Sequence, residues 1–138
     1  MKYIGLDLGN RTCGIAISDS LGVIATSYKT IRFFEKDLNT CLSLIKEVIL
    51  EKQIDKIVLG YPLNMNGTIG PQAEYVLNFK KMLEDELQKE VILYDERLTT
   101  VEVQKVMISA DVSRNNRKKK VDTLAATLIL QSYLDSIK

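Results

Sequence analysis

The sequence predicts an α/β domain built on a mixed five-stranded sheet with helices on both faces. Two observations carry this prediction. The first third of the chain contains three short β-type runs separated by turn residues, which is typical of an antiparallel three-strand meander. The remainder alternates helical periodicity with short apolar runs, which is typical of two parallel strands joined through right-handed helical crossovers. The predicted order is β-β-β-α-β-α-β-α-α.

The predicted meander occupies the first 31 residues. An apolar run at 3–6 leads into a tight turn at 7–10, and a second run follows at 13–17. A turn at 18–22 precedes the third run, at 23–31. The short spacing makes each run the antiparallel neighbour of the next. Asp19, within the second turn, is interpreted as a turn former.

Helices and parallel strands alternate over the next sixty residues. Apolar residues at helical spacing between 38 and 49 predict the first helix. The apolar run at 57–59 predicts a buried strand that ends in a Gly-, Pro- and Asn-rich loop at 60–67. Pro71 is suited to open the second helix. The run at 91–94 predicts the last strand.

Two more helices are predicted at the C-terminal end. Thr99 and Glu102 have the spacing of a capping box, which predicts a helix that starts there and ends near residues 110–111. The charged stretch 114–120 is predicted to be a loop. Residues 121–137 are predicted to form a largely buried helix, because they are apolar over much of the helical circumference.

Composition excludes several kinds of chemistry. The 138 residues (15.6 kDa) are the size of a single domain, assigned here to 1–138. The chain has no His, which excludes Ser-His-Asp and Cys-His triads and His-based zinc sites. Cys13 and Cys41 are too few for a four-cysteine zinc site and are expected to be buried thiols in a reducing compartment. We expect a cytoplasmic protein without a membrane segment, because no apolar stretch approaches the roughly 20 residues needed to cross a bilayer.

Acidic residues stand where predicted strands end and where the last helix begins. Asp7 follows the first strand, Asp95 and Glu96 follow the last strand, and Asp122 falls in the predicted first turn of the last helix. Ala125 and Ala126 are small enough to bring that helix close to the sheet. Carboxylates that converge cannot all ionise in a dry site unless a charge cancels them, and Mg²⁺ prefers such oxygen ligands. Two such ions support phosphodiester cleavage without histidine.

Structural interpretations of these acids stay open at this point. An Asp before Gly is often a turn former, as Asp7 could be. An acid in the first turn of a helix often interacts favourably with the helix dipole, as Asp122 could. Asp95, Glu96 and Arg97 could form a local ion-pair cluster.

The net charge of +1 conceals an uneven distribution. Between residues 97 and 120 seven cations face only two acids, Glu102 and Asp111. A basic rim beside an acidic site suits a phosphate polymer, although a solvated loop is the alternative. Because aromatic residues are few, we expect recognition of backbone and shape rather than base stacking. The candidate nucleic-acid-binding residues are Arg114, Arg117, Lys118, Lys119 and Lys120.

Four sequence blocks, in order along nearly the whole chain, carry a family resemblance. The first is G-L-D-L-G at 5–9 with G-I-A-I-S-D at 14–19, and the second is G-Y-P-L-N-M-N-G-T at 60–68 followed by Gly70 and Pro71. The third is D-E-R-L-T-T at 95–100, and the fourth is the R-K pair at 117–118 with V-D at 121–122 and A-A at 125–126. With these blocks the chain resembles the YqgF (RuvX-like) family of the ribonuclease H superfamily. That family is described as pre-16S rRNA nucleases and as Holliday junction resolvases.

The resemblance implies a ribonuclease H-like fold and a hydrolase that cleaves nucleic acid with Mg²⁺ or Mn²⁺. It implies Asp7, Glu96 and Asp122 as the acidic metal-site residues. Asp95 is the weaker candidate at the strand end, since adjacent strand residues point to opposite faces. The leading hypothesis is processing of the 5′ end of precursor 16S rRNA in ribosome biogenesis, by a monomer or weak homodimer.

Three alternatives to this hypothesis are kept. The first is a Holliday junction resolvase acting on branched DNA, which a symmetric dimer would favour. The second is a non-catalytic RNA-binding factor for ribosome assembly. The third, a sugar-kinase-like ATPase, is disfavoured because that fold needs two such domains.

Overall fold

The computed structural model describes residues 1–97 and 114–137, with the side chains of 114–122 outside that description. Its centre is a five-stranded sheet in the order β3-β2-β1-β4-β5. The strands β1, β2 and β3 pair antiparallel, and β4 and β5 run parallel to β1. The predicted mixed sheet is confirmed. The strands are β1 Tyr3–Leu8, β2 Thr12–Ser18, β3 Ala25–Arg32, β4 Lys56–Tyr61 and β5 Val91–Asp95.

Helices cover both faces of the sheet, as predicted. The helices α1 (Leu38–Lys52) and α2 (Pro71–Leu87) pack on one face, where they share a core with Ile4 and Leu6 of β1. The helix α3 (Arg114–Ser136) packs on the other face, against residues such as Tyr3. Successive residues of β1 therefore face α1 and α2 or α3 in turn.

Two helix starts follow from local chemistry. The carboxylate of Asp37 accepts a hydrogen bond from the backbone N–H of Thr40 at 3.3 Å and caps α1. Pro71 opens α2, as predicted, because its missing N–H is not needed in the first helical turn.

The predicted loop at 114–120 is wrong, because these residues form the first two turns of α3. Arg and Lys are strong helix formers, and the stretch contains neither Gly nor Pro to end a helix. Residue 122 is consequently not in a first turn, and a favourable helix-dipole interaction does not account for an acid there. The predicted helix from Thr99 to residues 110–111 lies outside the described residues.

A ladder of polar contacts ties α3 to the edge strand β3. The hydroxyls of Thr123 and Thr30 lie 2.6 Å apart, and those of Thr127 and Ser27 lie 2.7 Å apart. A bulge opposite Ile15 and Ala16 shifts the register of β3. Residues three apart in a regular strand face opposite sides, so the bulge allows both Ser27 and Thr30 to face α3.

Three further predictions concern residues away from the sheet edge. Cys13 and Cys41 are fully buried and form no disulfide, as expected. Asp19 accepts backbone hydrogen bonds from Ile24 and Val23, both at 2.8 Å, which lower the pKa of its carboxyl and confirm its role in the turn. Within the described residues, no helix is both long enough and apolar enough to cross a membrane.

Candidate active site

The parallel strands bring two of the predicted acids to one edge of the sheet. Asp7 lies near the C-terminal end of β1, and Glu96 directly follows β5. The strands β1, β4 and β5 run in the same direction, so their C-terminal ends meet at this edge. In open α/β sheets, this edge is where binding sites collect.

Strand alternation separates Glu96 from its neighbour Asp95. Tyr94 packs with the α3 cluster, so Glu96, two residues on, belongs to the α3 face. Asp95 instead binds Arg97, accepting hydrogen bonds from the guanidinium Nε at 2.8 Å and from the backbone N–H at 3.0 Å. These contacts, the guanidinium bond above all, lower the pKa of Asp95.

The carboxyl groups of Asp7 and Glu96 are in contact. Removal from water, and then the negative charge of Asp7, raise the pKa of Glu96 to about 8. A hydrogen bond from the protonated Glu96 carboxyl to the Asp7 carboxylate acts in the same direction. At neutral pH the pair therefore holds a proton that an isolated glutamate would have lost.

Gly60 provides the space for this contact. The strand β4 lies between β1 and β5, so Glu96 reaches Asp7 by passing over β4. A Cβ atom at Gly60 would collide with Oε2 of Glu96 and would lie 2.8 Å from Cδ1 of Ile129. Because residue 60 has no side chain, the Glu96 carboxyl can lie directly over the backbone of β4.

The helix α3 packs over β1 and runs antiparallel to it. The rings of Tyr3 and Tyr133 lie 5.9 Å apart between centroids, at the start of β1. At Gly5 the two elements approach so closely that a Cβ atom would lie 3.0 Å from the carbonyl oxygen of Ala126. The predicted close approach of this helix to the sheet is confirmed at Ala126.

The turn after Asp7 is held by α2. The hydroxyl of Tyr75 donates a hydrogen bond to the carbonyl oxygen of Gly9 at 3.1 Å. Burial raises the pKa of this hydroxyl to about 12, so it remains a donor across the physiological range. The backbone N–H of Gly9 also donates to the carbonyl of Thr12 at 2.7 Å, which closes the turn.

The remaining predicted site residues can be located by backbone only. Residue 122 lies in the third turn of α3, and the basic candidates at 114 and 117–120 occupy the two turns before it. Among the described side chains, no group of three acidic, His or Cys residues is arranged to hold a metal ion.

Sequence reasoning missed three contributors to this geometry. It assigned Gly60 to a loop, and it did not single out Tyr75 or the contact of Thr30 with Thr123. The contact of Thr30 with Thr123 had a signal in the sequence, since Thr123, Thr127 and Gln131 form a polar stripe at four-residue spacing among the apolar residues between 124 and 134.

A family model described as "RuvX: Holliday junction resolvase" matches residues 1–136. The chain belongs to the RuvX family. Curated relatives cover almost its full length. The chain is 50% identical over 137 residues to a protein of Bacillus subtilis (strain 168), covering 99% of each chain. It is 52% identical over 137 residues to one of Clostridium tetani, covering 99% of this chain and 98% of the relative. Both relatives are named "Putative pre-16S rRNA nuclease".

Solved structures share the fold of this RuvX member at low sequence identity. The fowlpox virus Holliday junction resolvase superimposes with a TM-score of 0.61 at 14% identity, covering 100% of both chains. Thermus thermophilus RuvC, solved with a Holliday junction substrate, gives 0.59 at 12% identity, covering 97% of this chain and 96% of that one. The predicted ribonuclease H-like fold is confirmed by these likenesses.

Proposed function

We propose that this RuvX member is a metal-dependent nuclease that hydrolyses phosphodiester bonds in structured nucleic acid. The observation that carries the proposal is the contact between the carboxyl groups of Asp7 and Glu96 at the C-terminal edge of the parallel strands. A fold held together by its core alone gains nothing from two carboxyl groups placed against each other. Carboxyl pairs with strongly shifted pKa values are typical of functional sites.

The donor set of this pair fits a divalent cation. Both side chains offer oxygen atoms, which Mg²⁺ and Mn²⁺ prefer. The proton that Glu96 retains at neutral pH marks a place where a positive charge is favourable. A bound cation would take the place of that proton and leave both groups ionised.

We assign Asp122 as the third acid of the site. Along β1, Tyr3 lies by Tyr133 and Gly5 lies by Ala126 and Leu130. One further step of two residues along β1 reaches Asp7, and one further turn back along α3 reaches residue 122.

The polar ladder supports this alignment independently. Thr123 contacts Thr30, which pairs with Gly14, which in turn pairs with Asp7. The turn of α3 that carries residue 122 is therefore level with Asp7 across the sheet.

Asp7, Glu96 and Asp122 would hold Mg²⁺ or Mn²⁺ between β1, β5 and α3. When bound, such a cation activates water and stabilises the leaving oxygen of a phosphodiester. The chain contributes the positions of these groups. Tyr75 fixes the turn after Asp7, Gly60 admits Glu96, and Thr30 aligns the turn of α3 that carries residue 122.

The first turns of α3 are proposed to bind the phosphate backbone. Arg114, Arg117, Lys118, Lys119 and Lys120 precede residue 122 on the same continuous helix. Cations spaced along two helical turns can contact successive phosphates, and these contacts favour a polyanion of either sugar type.

The proposed substrate is the 5′ end of precursor 16S rRNA. The name shared by the curated relatives supports this choice, and such a substrate would place the protein in ribosome biogenesis. We propose that it acts as a monomer or weak homodimer. Cleavage of branched DNA is the second candidate, supported by the description of the family model.

One assay tests the proposal and separates the candidates. Labelled precursor 16S rRNA and a four-way DNA junction are incubated with the protein and Mg²⁺, beside Asp7→Asn and an EDTA control. We expect Mg²⁺-dependent cleavage of the RNA that Asp7→Asn abolishes. Symmetric paired nicks in the junction would favour the resolvase. Binding of RNA that survives both EDTA and Asp7→Asn, without any cleavage, would favour the non-catalytic assembly factor.

A further inference from the structure

One phenylalanine is left outside the core at the edge of the sheet that carries the acids. Phe79 is fully buried, and Phe33 packs against the core. Phe34, between β3 and α1, is 87% exposed. Burying a phenylalanine side chain stabilises the folded chain, so an exposed one forgoes a considerable gain in stability.

The segment that carries Phe34 is held by backbone hydrogen bonds. The carbonyl oxygen of Phe34 accepts a hydrogen bond from the backbone N–H of Asp37 at 2.8 Å, and Asp37 itself caps α1. The N–H of Lys36 donates to the carbonyl of Asn10 at 2.7 Å, and that of Phe33 donates to the carbonyl of Arg11 at 3.0 Å. These hydrogen bonds hold the turn that carries Phe34 and join it to the β1–β2 turn, which follows Asp7.

Strand register places Phe34 beside the proposed site. Asp7 pairs with Gly14, and Gly14 pairs with Thr30 of β3. The strands β1 and β3 are therefore about 10 Å apart, at two strand spacings. Phe34 follows Thr30 by four residues, toward the same edge of the sheet. A nucleic acid whose backbone crosses Asp7 could reach Phe34 within a few nucleotides.

The charges around Phe34 suit a polyanion. Arg11, Arg32 and Lys36 are exposed around the turn. Two acids are nearby: Glu35 lies 3.7 Å from Arg11, and Asp37 is half-buried and caps α1. An aromatic face among exposed cations is the combination that binds unpaired nucleotides. The ring stacks on a base while the cations contact the flanking phosphates.

We propose that Phe34 is a stacking platform for one unpaired base of the nucleic-acid substrate, with Arg11, Arg32 and Lys36 binding the adjacent phosphates. The inference rests on the proposed function, because it takes the strand to pass over Asp7 and Glu96. It extends that function by requiring a single-stranded segment next to the cleavage site, and it adds base stacking to the phosphate recognition expected from the sequence.

The test measures binding separately from cleavage. Fluorescein-labelled single-stranded RNA of about twelve nucleotides is titrated with the full chain in EDTA, which keeps the strand intact. Phe34→Ala should weaken binding by about 5- to 100-fold, as expected for the loss of one stacked base. Phe34→Trp should retain it. Leu21→Ala is the matched control, since Leu21 is 80% exposed at the opposite end of the sheet, and it should bind like the unmodified chain.

Abasic substitutions along the same RNA identify the stacked base. At one position, removal of the base should weaken binding to the unmodified chain and have little effect on Phe34→Ala. Equal RNA binding by Phe34→Ala and the unmodified chain would overturn the proposal. It would also be overturned if, at every position, base removal and Phe34→Ala weakened binding by independent, additive amounts of free energy. Self-association that Phe34→Ala abolishes, with RNA binding unchanged, would instead assign the residue to a contact between two copies.

Cleavage by the same preparations separates this proposal from the proposed function. Base-dependent binding through Phe34 without Mg²⁺-dependent cleavage would overturn the nuclease and leave the stacking site standing. If cleavage requires Asp7, but Phe34→Ala changes neither the cleavage rate nor the RNA affinity, the stacking site is overturned and the nuclease stands.

Discussion

The carboxyl groups of Asp7 and Glu96 meet over Gly60, although their strands are separated by β4 in the sheet. The contact needs three conditions at once. The parallel strands must end at one edge, Glu96 must face α3, and residue 60 must lack a side chain. The second and third conditions can each be tested by a substitution at this edge of the sheet.

Gly60→Ala tests the space under Glu96. The new Cβ atom would collide with Oε2 of Glu96 and crowd Ile129, so we expect cleavage to fall at least about tenfold and the free energy of unfolding to drop by about 1–3 kcal/mol. Gly9→Ala is a matched control for the stability measurement alone, because a Cβ atom there meets its nearest neighbours, atoms of Thr12, at 3.4 Å. Urea denaturation measures the free energy of unfolding, and the cleavage assay measures the rate. Full cleavage by Gly60→Ala would show that Glu96 acts from another position.

Substitutions of the two adjacent acids at the end of β5 should affect cleavage to very different degrees. Glu96→Gln keeps the shape of the side chain and a donor for Asp7 but removes the carboxylate, so cleavage should fall at least about 100-fold. Asp95→Asn weakens an exposed ion pair with Arg97 and should cost less than about 1 kcal/mol of stability. Cleavage by Asp95→Asn should remain within about tenfold of the unmodified chain. The opposite ranking of the two variants would make Asp95 the ligand.

Stability of the metal-free protein should decrease as pH rises from about 5 to about 8. The pKa of Glu96 is raised in the folded state, so in this window the folded chain binds more protons than the unfolded chain, and the free energy of unfolding falls with pH. One proton corresponds to a slope of at most about 1.4 kcal/mol per pH unit. Urea denaturation in EDTA measures the slope, which Glu96→Gln should remove.

Mg²⁺ binding should release a proton over the same pH window. The cation takes the place of the Glu96 proton, so its affinity should rise up to about tenfold per pH unit until pH passes about 8. Calorimetry in buffers of different ionisation enthalpy counts the proton released. An affinity that is independent of pH would argue against Glu96 as a ligand.

Thr30→Val tests the alignment of α3 at the site. The substitution leaves the hydroxyl of Thr123 without its 2.6 Å partner, so we expect a loss of about 1–2 kcal/mol and reduced cleavage, because residue 122 lies next to Thr123. Thr26→Val on the same strand is the control, since Thr26 is exposed and takes no part in the ladder. Equal cleavage by the two variants would mean that the ladder stabilises α3 without positioning residue 122.

Much of this architecture was predictable because it depends on local periodicity. The apolar alternation of β1, the helical spacing of α1 and the Pro at the start of α2 are encoded within a few residues of each other. The preference for Glu96 over Asp95 also followed from alternation and from family resemblance. The prediction of a loop at 114–120 is wrong because a dense run of cations does not by itself end a helix, and Arg and Lys favour the helical conformation.

By itself, the sequence determined the fold class, the absence of histidine chemistry and the order of the acidic residues along the chain. Only the tertiary structure decided that Asp7 and Glu96 touch, that Gly60 makes room for them, and that a bulge in β3 turns both Ser27 and Thr30 toward α3. The physical reason is the range of the interactions. Periodicity acts between near neighbours, whereas close approach and a shared proton depend on residues that are dozens of positions apart and meet only when the sheet is assembled.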